Sequence, residues 1–176
     1  SVLFADLVGF TELAGQLSAK ETVKMLNGIF SAFDTVVVER GLEKIKTIGD
    51  AYMAASGIPE YRKDHGPALV GFALDMLELL EQYNEINGTH LKLRIGIHCG
   101  PLTAGVIGSQ KFSYDIWGDT VNVASRMEST GEPGRIHVSE TFARAAKRQV
   151  IFEERGMVKV KGKGDMRTFF VAQNKF

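Results

Sequence analysis

Cysteine is nearly absent from this chain of 176 residues: Cys99 stands alone. No internal disulfide and no multi-cysteine metal cage can form, and a single thiol suits a reducing compartment. Excess charge of either sign is also missing, since 21 Lys and Arg balance 21 Asp and Glu. No global field then draws the chain to nucleic acid or to an anionic membrane, and neither is expected as a partner. An anionic ligand has to be held by local charges and metal ions, which points to a site and not to a charged surface. No run reaches the roughly 18 apolar residues of a membrane span, and no signal peptide is visible. Repeats, low-complexity tracts and long linkers are lacking. The chain does open directly on an apolar strand, without leader or cap, so it is read as one domain, 1–176, cut from something longer. Its expected location is the cytoplasm, or the cytoplasmic face of a membrane in the parent chain.

What is present is ordinary for a globular domain: 44% hydrophobic and 24% charged residues. A chain of this size buries about two-thirds of its unfolded surface. The short apolar run Val2–Ala5, bounded by Gly9, predicts a buried strand, and Thr11 can cap a short helix. Val23, Leu26, Ile29, Phe30, Phe33, Val36 and Val37 recur at helical spacing, with Gly41 as the stop. Leu42–Ile48 and Ala51–Ala55 flank Gly49-Asp50, a hairpin signal. A helix is predicted near Asp64–Tyr83, and Leu91–Cys99 and Leu102–Ile107 around Gly100-Pro101 read as a second hairpin. A helix over Thr120–Met127, a strand at Arg135–Val138 and a helix after Ser139 follow. Strand-like segments lie near Val150–Glu154 and Thr168–Ala172. The opening order is strand, helix, strand, strand, helix, strand. That predicts an α+β fold with a ferredoxin-like βαββαβ core and extra C-terminal strands and helices.

Asp6 leaves an apolar strand just before a glycine turn and a helix start. Such a carboxylate suits a metal–phosphate site, because a helix N-terminus offers free N–H groups and a positive dipole end. It equally suits a solvated turn. Asp50, at a hairpin tip, is either a turn former or a second metal ligand. In a ferredoxin-like sheet the first and third strands are neighbours, so both carboxylates can converge on the same ions, and Mg²⁺ commonly takes one or two carboxylates plus substrate phosphates. Asn122 and Arg126, four apart on a helix, project from one face, where they can grip ribose and phosphate or simply bond each other at the surface. Lys161 lies in a basic glycine-bearing turn. His65, His90, His98 and His137 read as satisfied or solvated. Cys99 reads as a small buried residue, and Met25, Met53, Met76 and Met127 as core-facing. Trp117 packs either beside a base or in the core.

Taken in order, five segments make the chain resemble the catalytic domain of class III adenylate and guanylate cyclases over essentially its whole length. They are Phe4–Thr11, Lys44–Met53, Arg94–Gly100, Tyr114–Met127 and Val160–Gly164. The resemblance implies two Mg²⁺ or Mn²⁺ ions held by Asp6, Asp50 and the Leu7 carbonyl. It implies phosphate contacts from the backbone of Val8, Gly9, Phe10 and Thr11, from Arg94 and, on the terminal phosphates, from Lys161. Asn122 matches the residue that orients the ribose, and Arg126 the arginine that stabilises charge on the α-phosphate. Lys46 and Asp115 match the adenine-reading pair, the alternative being a salt bridge with no nucleotide role, and Ile116 stands beside them among the substrate-binding residues. Related guanylate cyclases carry glutamate at the lysine position and cysteine or a small residue at the aspartate position. The implied activity is therefore conversion of ATP to 3′,5′-cyclic AMP and pyrophosphate. The implied assembly is a homodimer, with the metal aspartates of one subunit facing the base-reading set of the other. A guanylate cyclase and a catalytically silent cyclase-like domain are the alternatives. A diguanylate cyclase or polymerase palm lacks support, since no Gly-Gly-Asp/Glu-Glu-Phe signature occurs.

Overall fold

The computed structural model describes residues 1–174. Strand β1 (Val2–Val8) alternates Leu3, Ala5 and Leu7 toward one core with Val2 and Phe4 toward another. Helix α1 (Phe10–Ala14) starts at Gly9, whose φ of 88° is left-handed. Thr11 therefore lies inside the helix and does not cap it; the sharp turn out of β1 needs the conformation that glycine adopts without strain. Helix α2 (Ala19–Glu39) begins with a capping box in which Ser18 and Glu21 bond reciprocally, and Gly41 lies just past its end. Strands β2 (Glu43–Ile48) and β3 (Ala51–Ala55) form the expected hairpin. Helix α3 (His65–Asn87) runs past the expected end at Tyr83 and stops at Gly88, φ 65°. Strand β4 (Lys92–His98) follows.

β1 lies between β3 and β4 and is antiparallel to both, giving the order β2-β3-β1-β4. This is the ferredoxin-like arrangement read from the element order. β7 (Ile136–Ser139) continues the sheet parallel to β4, followed by β9 (Gly164–Asn174) and then β8 (Val150–Val160) at the edge. The last two strands are longer than the sequence indicated and pair along their length, with two register shifts. The second expected hairpin does not form. β5 (Thr103–Ile107) leaves the sheet and pairs with β6 (Ser113–Trp117), a strand the sequence reading did not separate from the segment after it. The reason is that β4 already has β1 on one edge and β7 on the other, so no edge remains for β5.

One face of the sheet carries α2, α3 and α5 (Glu140–Ala146) over the main core, where Phe33, Tyr52 and Phe72 are fully buried. Each such side chain contributes about 1.5–3 kcal/mol through burial. The other face carries α4 (Asp119–Ser129), packed with β6 over Val2, Phe4, Met53, Ala55, Ile116 and Ala124. Gly96 of β4 admits this helix: a Cβ there meets the Glu128 backbone nitrogen at 1.9 Å. A glycine inside a strand marks such a close approach of backbones. Met25, Met53, Met76, Met127 and Cys99 are buried as read. His98 bonds Ser139 at 2.6 Å and His137 bonds the Met127 carbonyl at 2.7 Å, so both are satisfied core residues. Trp117 is 37% exposed and does not pack in the core.

Candidate active site

Asp6 lies directly across the β1–β4 ladder from Arg94 and across β1–β3 from Ala51, the residue after Asp50. The Leu7 N–H donates to the Asp50 carbonyl at 3.3 Å, tying the hairpin tip to the end of β1. Arg94 divides its guanidinium: Nη2 donates to Asp6 Oδ2 at 3.3 Å and Nε to Glu128 Oε1 at 2.7 Å. Burial pushes the Asp6 carboxyl above its ordinary range and the Asp50 charge pushes it further, with Arg94 opposing both. Glu128 is raised mainly by burial; Arg94 pulls it back, while Asp6 and Asp50 add to the rise. Two aspartates and a glutamate thus crowd one arginine.

A carboxylate group that repels its own ionisation is stabilised by an added cation. Among the described residues, no three or more His, Cys, Asp and Glu side chains form a metal cage. The acidic pair therefore suits an ion that takes few protein oxygens and completes its shell from phosphate and water, as Mg²⁺ does.

The second group forms on the other side of β3. Lys46 Nζ donates to Asp115 Oδ2 at 2.5 Å, joining β2 to β6. A bulge makes this contact possible. Lys44 pairs with Ala54 and Lys46 with Met53, so Ile45 is the extra residue. Regular alternation would turn Lys46 toward α2; the bulge turns it to the α4 face, where β6 lies. Lys44 keeps the α2 side, 2.7 Å from Asp34, which also accepts from the Tyr52 hydroxyl at 2.7 Å. Burial opposes ionisation of Asp115, but the bonds from Lys46 and from the Ile116 N–H outweigh it and hold the carboxyl below its usual range. A fixed donor beside a fixed acceptor results.

Asn122 and Arg126 stand one turn apart on α4, Asn122 exposed and Arg126 half-buried. Among the described residues the Arg126 guanidinium has no hydrogen-bond or ion-pair partner. Lys161 is exposed in the β8–β9 turn, next to the buried Val160, which packs on Val123 and Met127 of α4. Val8, Gly9, Phe10 and Thr11 form the link from β1 into α1. Within one chain the residues fall into two sets that no hydrogen bond or ion pair joins among the described residues: the acidic set with Arg94, and the set of Lys46, Asp115, Asn122, Arg126 and Lys161. Asp6, Asp50, Lys46, Asp115, Asn122 and Arg126 do not line the cleft between α2 and α3 around Arg40 and Asp75 or the one around Tyr61 and His65.

The sequence reading missed Glu128 as the holder of Arg94. The available signal was Gly96, which announces that another backbone lies on that strand. It also missed the strand that delivers Asp115.

The adenylate and guanylate cyclase catalytic domain model matches residues 1–173. An adenylate cyclase of Mycobacterium tuberculosis is 49% identical over 175 residues, 99% of this chain and 40% of that protein. The guanylate cyclase soluble subunit beta-2 of Rattus norvegicus is 42% identical over 99% of this chain and 26% of its own length. The chain thus spans less than half of these curated relatives. Among solved structures, the guanylate cyclase domain of RhGC from Catenaria anguillulae, in complex with GTP, superposes with a TM-score of 0.94 at 38% identity, covering 99% of this chain and 96% of that one. With the family model, the relatives and the fold in agreement along nearly all its length, the chain belongs to the adenylate and guanylate cyclase catalytic-domain family.

Proposed function

We propose that the chain converts ATP to 3′,5′-cyclic AMP and pyrophosphate, in two equivalent sites shared across a homodimer. The observation that carries the choice of ATP is the Lys46–Asp115 pair. Adenine offers an acceptor at N1 beside a donor at the 6-amino group, which complements an ammonium next to a carboxylate. Guanine reverses both positions, so O6 meets the carboxylate and N1–H meets the ammonium, leaving like against like. On entry the base takes over the hydrogen bonds that the two side chains make to each other.

Asp6, Asp50 and the Leu7 carbonyl hold the divalent ions, which when bound acidify the ribose 3′-hydroxyl and neutralise the triphosphate. The remaining groups position and stabilise. Asn122 orients the ribose, so that the 3′-oxygen faces the α-phosphorus in line with the bridging oxygen that leaves. The 3′-hydroxyl proton passes to water, the P–O3′ bond forms, the α–β bridging P–O bond breaks, and pyrophosphate departs. Arg126, whose guanidinium has no partner among the described residues, stabilises the charge that builds on the α-phosphoryl oxygens. Arg94 and Lys161 contact phosphate, as do the backbone amides over Val8, Gly9, Phe10 and Thr11. For Arg94 this means exchanging a carboxylate for a phosphate oxygen.

Sharing the site between two chains is supported by the absence, among the described residues, of any hydrogen bond or ion pair that joins the two sets. The β5–β6 hairpin adds to this, because it leaves Val106, Ile107 and Phe112 exposed at 59%, 62% and 79%. Apolar groups gathered on a projecting hairpin favour a protein cover. A twofold dimer of one chain gives each site both sets.

The decisive experiment is a product assay with ATP and GTP, run with Mg²⁺ or Mn²⁺ over a range of protein concentrations. ATP is the preferred substrate, and specific activity rises with concentration as dimers form. Lys46→Ala lowers the ATP/GTP preference by roughly ten- to a hundredfold, the span for losing a charge-assisted hydrogen bond. Preferential turnover of GTP would overturn the base assignment, and no product at high protein concentration would favour a silent domain.

A further inference from the structure

Lys163 lies outside the roles above, yet it is fastened to the same surface. The β8–β9 turn runs through Lys161, Gly162 and Lys163, with Gly162 and Gly164 at φ 80° and 75°. The Lys163 N–H donates to the Val160 carbonyl at 3.0 Å and closes the turn, a bond that shapes the turn without setting how it leans on α4 and so where Lys161 reaches. Two contacts bring the turn onto α4. Val160, 1% exposed, packs on Val123 and Met127. Beyond it, Lys163 Nζ donates to Asp119 Oδ2 at 2.6 Å in the first turn of α4. The two side chains are 38% and 64% exposed, so their ion pair contributes little to global stability. The fold has its hydrophobic contact at Val160 and does not depend on the pair. What the pair restrains is the local path of the chain on the far side of Lys161. The helix it grips is the one that presents Asn122 and Arg126.

We propose that Lys163 is a positioning residue, whose ion pair with Asp119 latches the β8–β9 turn to α4 and so fixes the reach of Lys161 toward the terminal phosphates. This rests on the reading of Lys161 as a phosphate contact. Held between Val160 and Lys163, Lys161 meets the nucleotide without first having to be ordered, and a substrate bound to a released turn has to order it. The latch therefore acts on how tightly the triphosphate is held, not on the attacking or leaving atoms.

The test combines kinetics with a measurement made without nucleotide. Lys163→Met raises KM for ATP about tenfold and changes kcat about threefold at most, the pattern of a lost binding contribution, with an unchanged melting temperature. Lys163→Arg keeps the pair and restores KM. Asp119→Asn raises KM to the same extent, and the double variant is no worse than either single one, because all three remove one interaction. In the nucleotide-free dimer, backbone ¹⁵N order parameters over Lys161–Gly164 fall in Lys163→Met. KM within twofold of the parent, additive losses in the double variant, or unchanged order parameters each overturn the latch. The phosphate assignment is read separately: Lys161→Ala with normal KM defeats that assignment, while the order parameters still decide whether Lys163 restrains the turn.

Discussion

The acidic set and the base-reading set are built in different ways. Asp6 and Arg94 belong to the central strands β1 and β4, where they face each other across one ladder, and Asp50 lies in the β2–β3 turn bonded to the end of β1. Glu128 reaches them because α4 lies directly on Gly96. Their spacing is a property of sheet geometry. The other set stands on peripheral parts: the bulged edge strand β2, the separate β5–β6 hairpin, the α4 surface and a glycine-bearing turn. The contrast teaches that the carboxylates proposed to hold metal stand on or beside the central strands, whereas the proposed ribose, phosphate and base contacts of the second set stand at the periphery. The pair proposed to read the base, Lys46 and Asp115, sits on a bulged edge strand and a separate hairpin, where it can change without disturbing the core.

The sharpest way to break this comparison is at its centre. Asp6→Asn removes a carboxylate that burial and Asp50 already hold partly against ionisation. Activity falls by roughly three orders of magnitude or more, as when a group essential to the transition state is lost. Thermal stability near neutral pH does not drop, because a like-charge contact is relieved. A cyclic-nucleotide assay paired with a thermal melt checks both halves of the expectation.

Gly96→Ala comes next. The added methyl meets the α4 backbone, which cannot give way as a flexible side chain does. Overpacking of this kind costs about 1–3 kcal/mol or more, read by denaturant unfolding. Activity falls with it, since Glu128, Asn122 and Arg126 move together. A Gly96→Ala variant with parental stability and turnover would mean that the position of α4 is not what aligns the site.

Mixing two inactive chains asks whether the sets act across the dimer. Asp6→Asn and Arg126→Ala combined in equal amounts form hybrid dimers, each with one intact site. With random exchange, half the dimers are hybrid and half their sites work, so about a quarter of parental activity returns. Hybrids that form and stay inactive refute the shared site.

The smallest effect concerns pH and the core beneath α4. Burial pushes His98 and His137 down to about 4, against about 6.5 in an unfolded chain. Between these values the unfolded chain binds more protons. The stability these histidines confer is therefore whole above about pH 6.5 and is lost as pH falls toward 4. Each contributes a slope of up to about 1.4 kcal/mol per pH unit, so His137→Gln flattens the measured pH dependence of unfolding by that amount. An unchanged slope in the variant contradicts the buried neutral state.

Much of the centre was legible before any coordinates. Apolar alternation marked β1, helical spacing marked α2 and α3, and Gly49-Asp50 marked the hairpin, because those signals act between residues close in the chain. Element order then implied that β1 and β3 are neighbours, which brings Asp6 beside Asp50. The periphery was less legible. Gly100-Pro101 resembled a hairpin turn, yet where β5 goes depends on β7 having taken the free edge of β4. That is a contest between distant segments, and no local pattern records its outcome.

By itself, then, the sequence determined the ferredoxin-like order of elements and the family, together with the chemical kinds of side chain available, since periodicity, turn chemistry and motif order are written residue by residue. Only the tertiary structure decided which carboxylate holds Arg94, that a bulge at Ile45 brings Lys46 to Asp115, and that no hydrogen bond or ion pair joins the two sets among the described residues. Those depend on strand register and on how closely a helix can approach a strand, and both are settled by packing across the whole molecule.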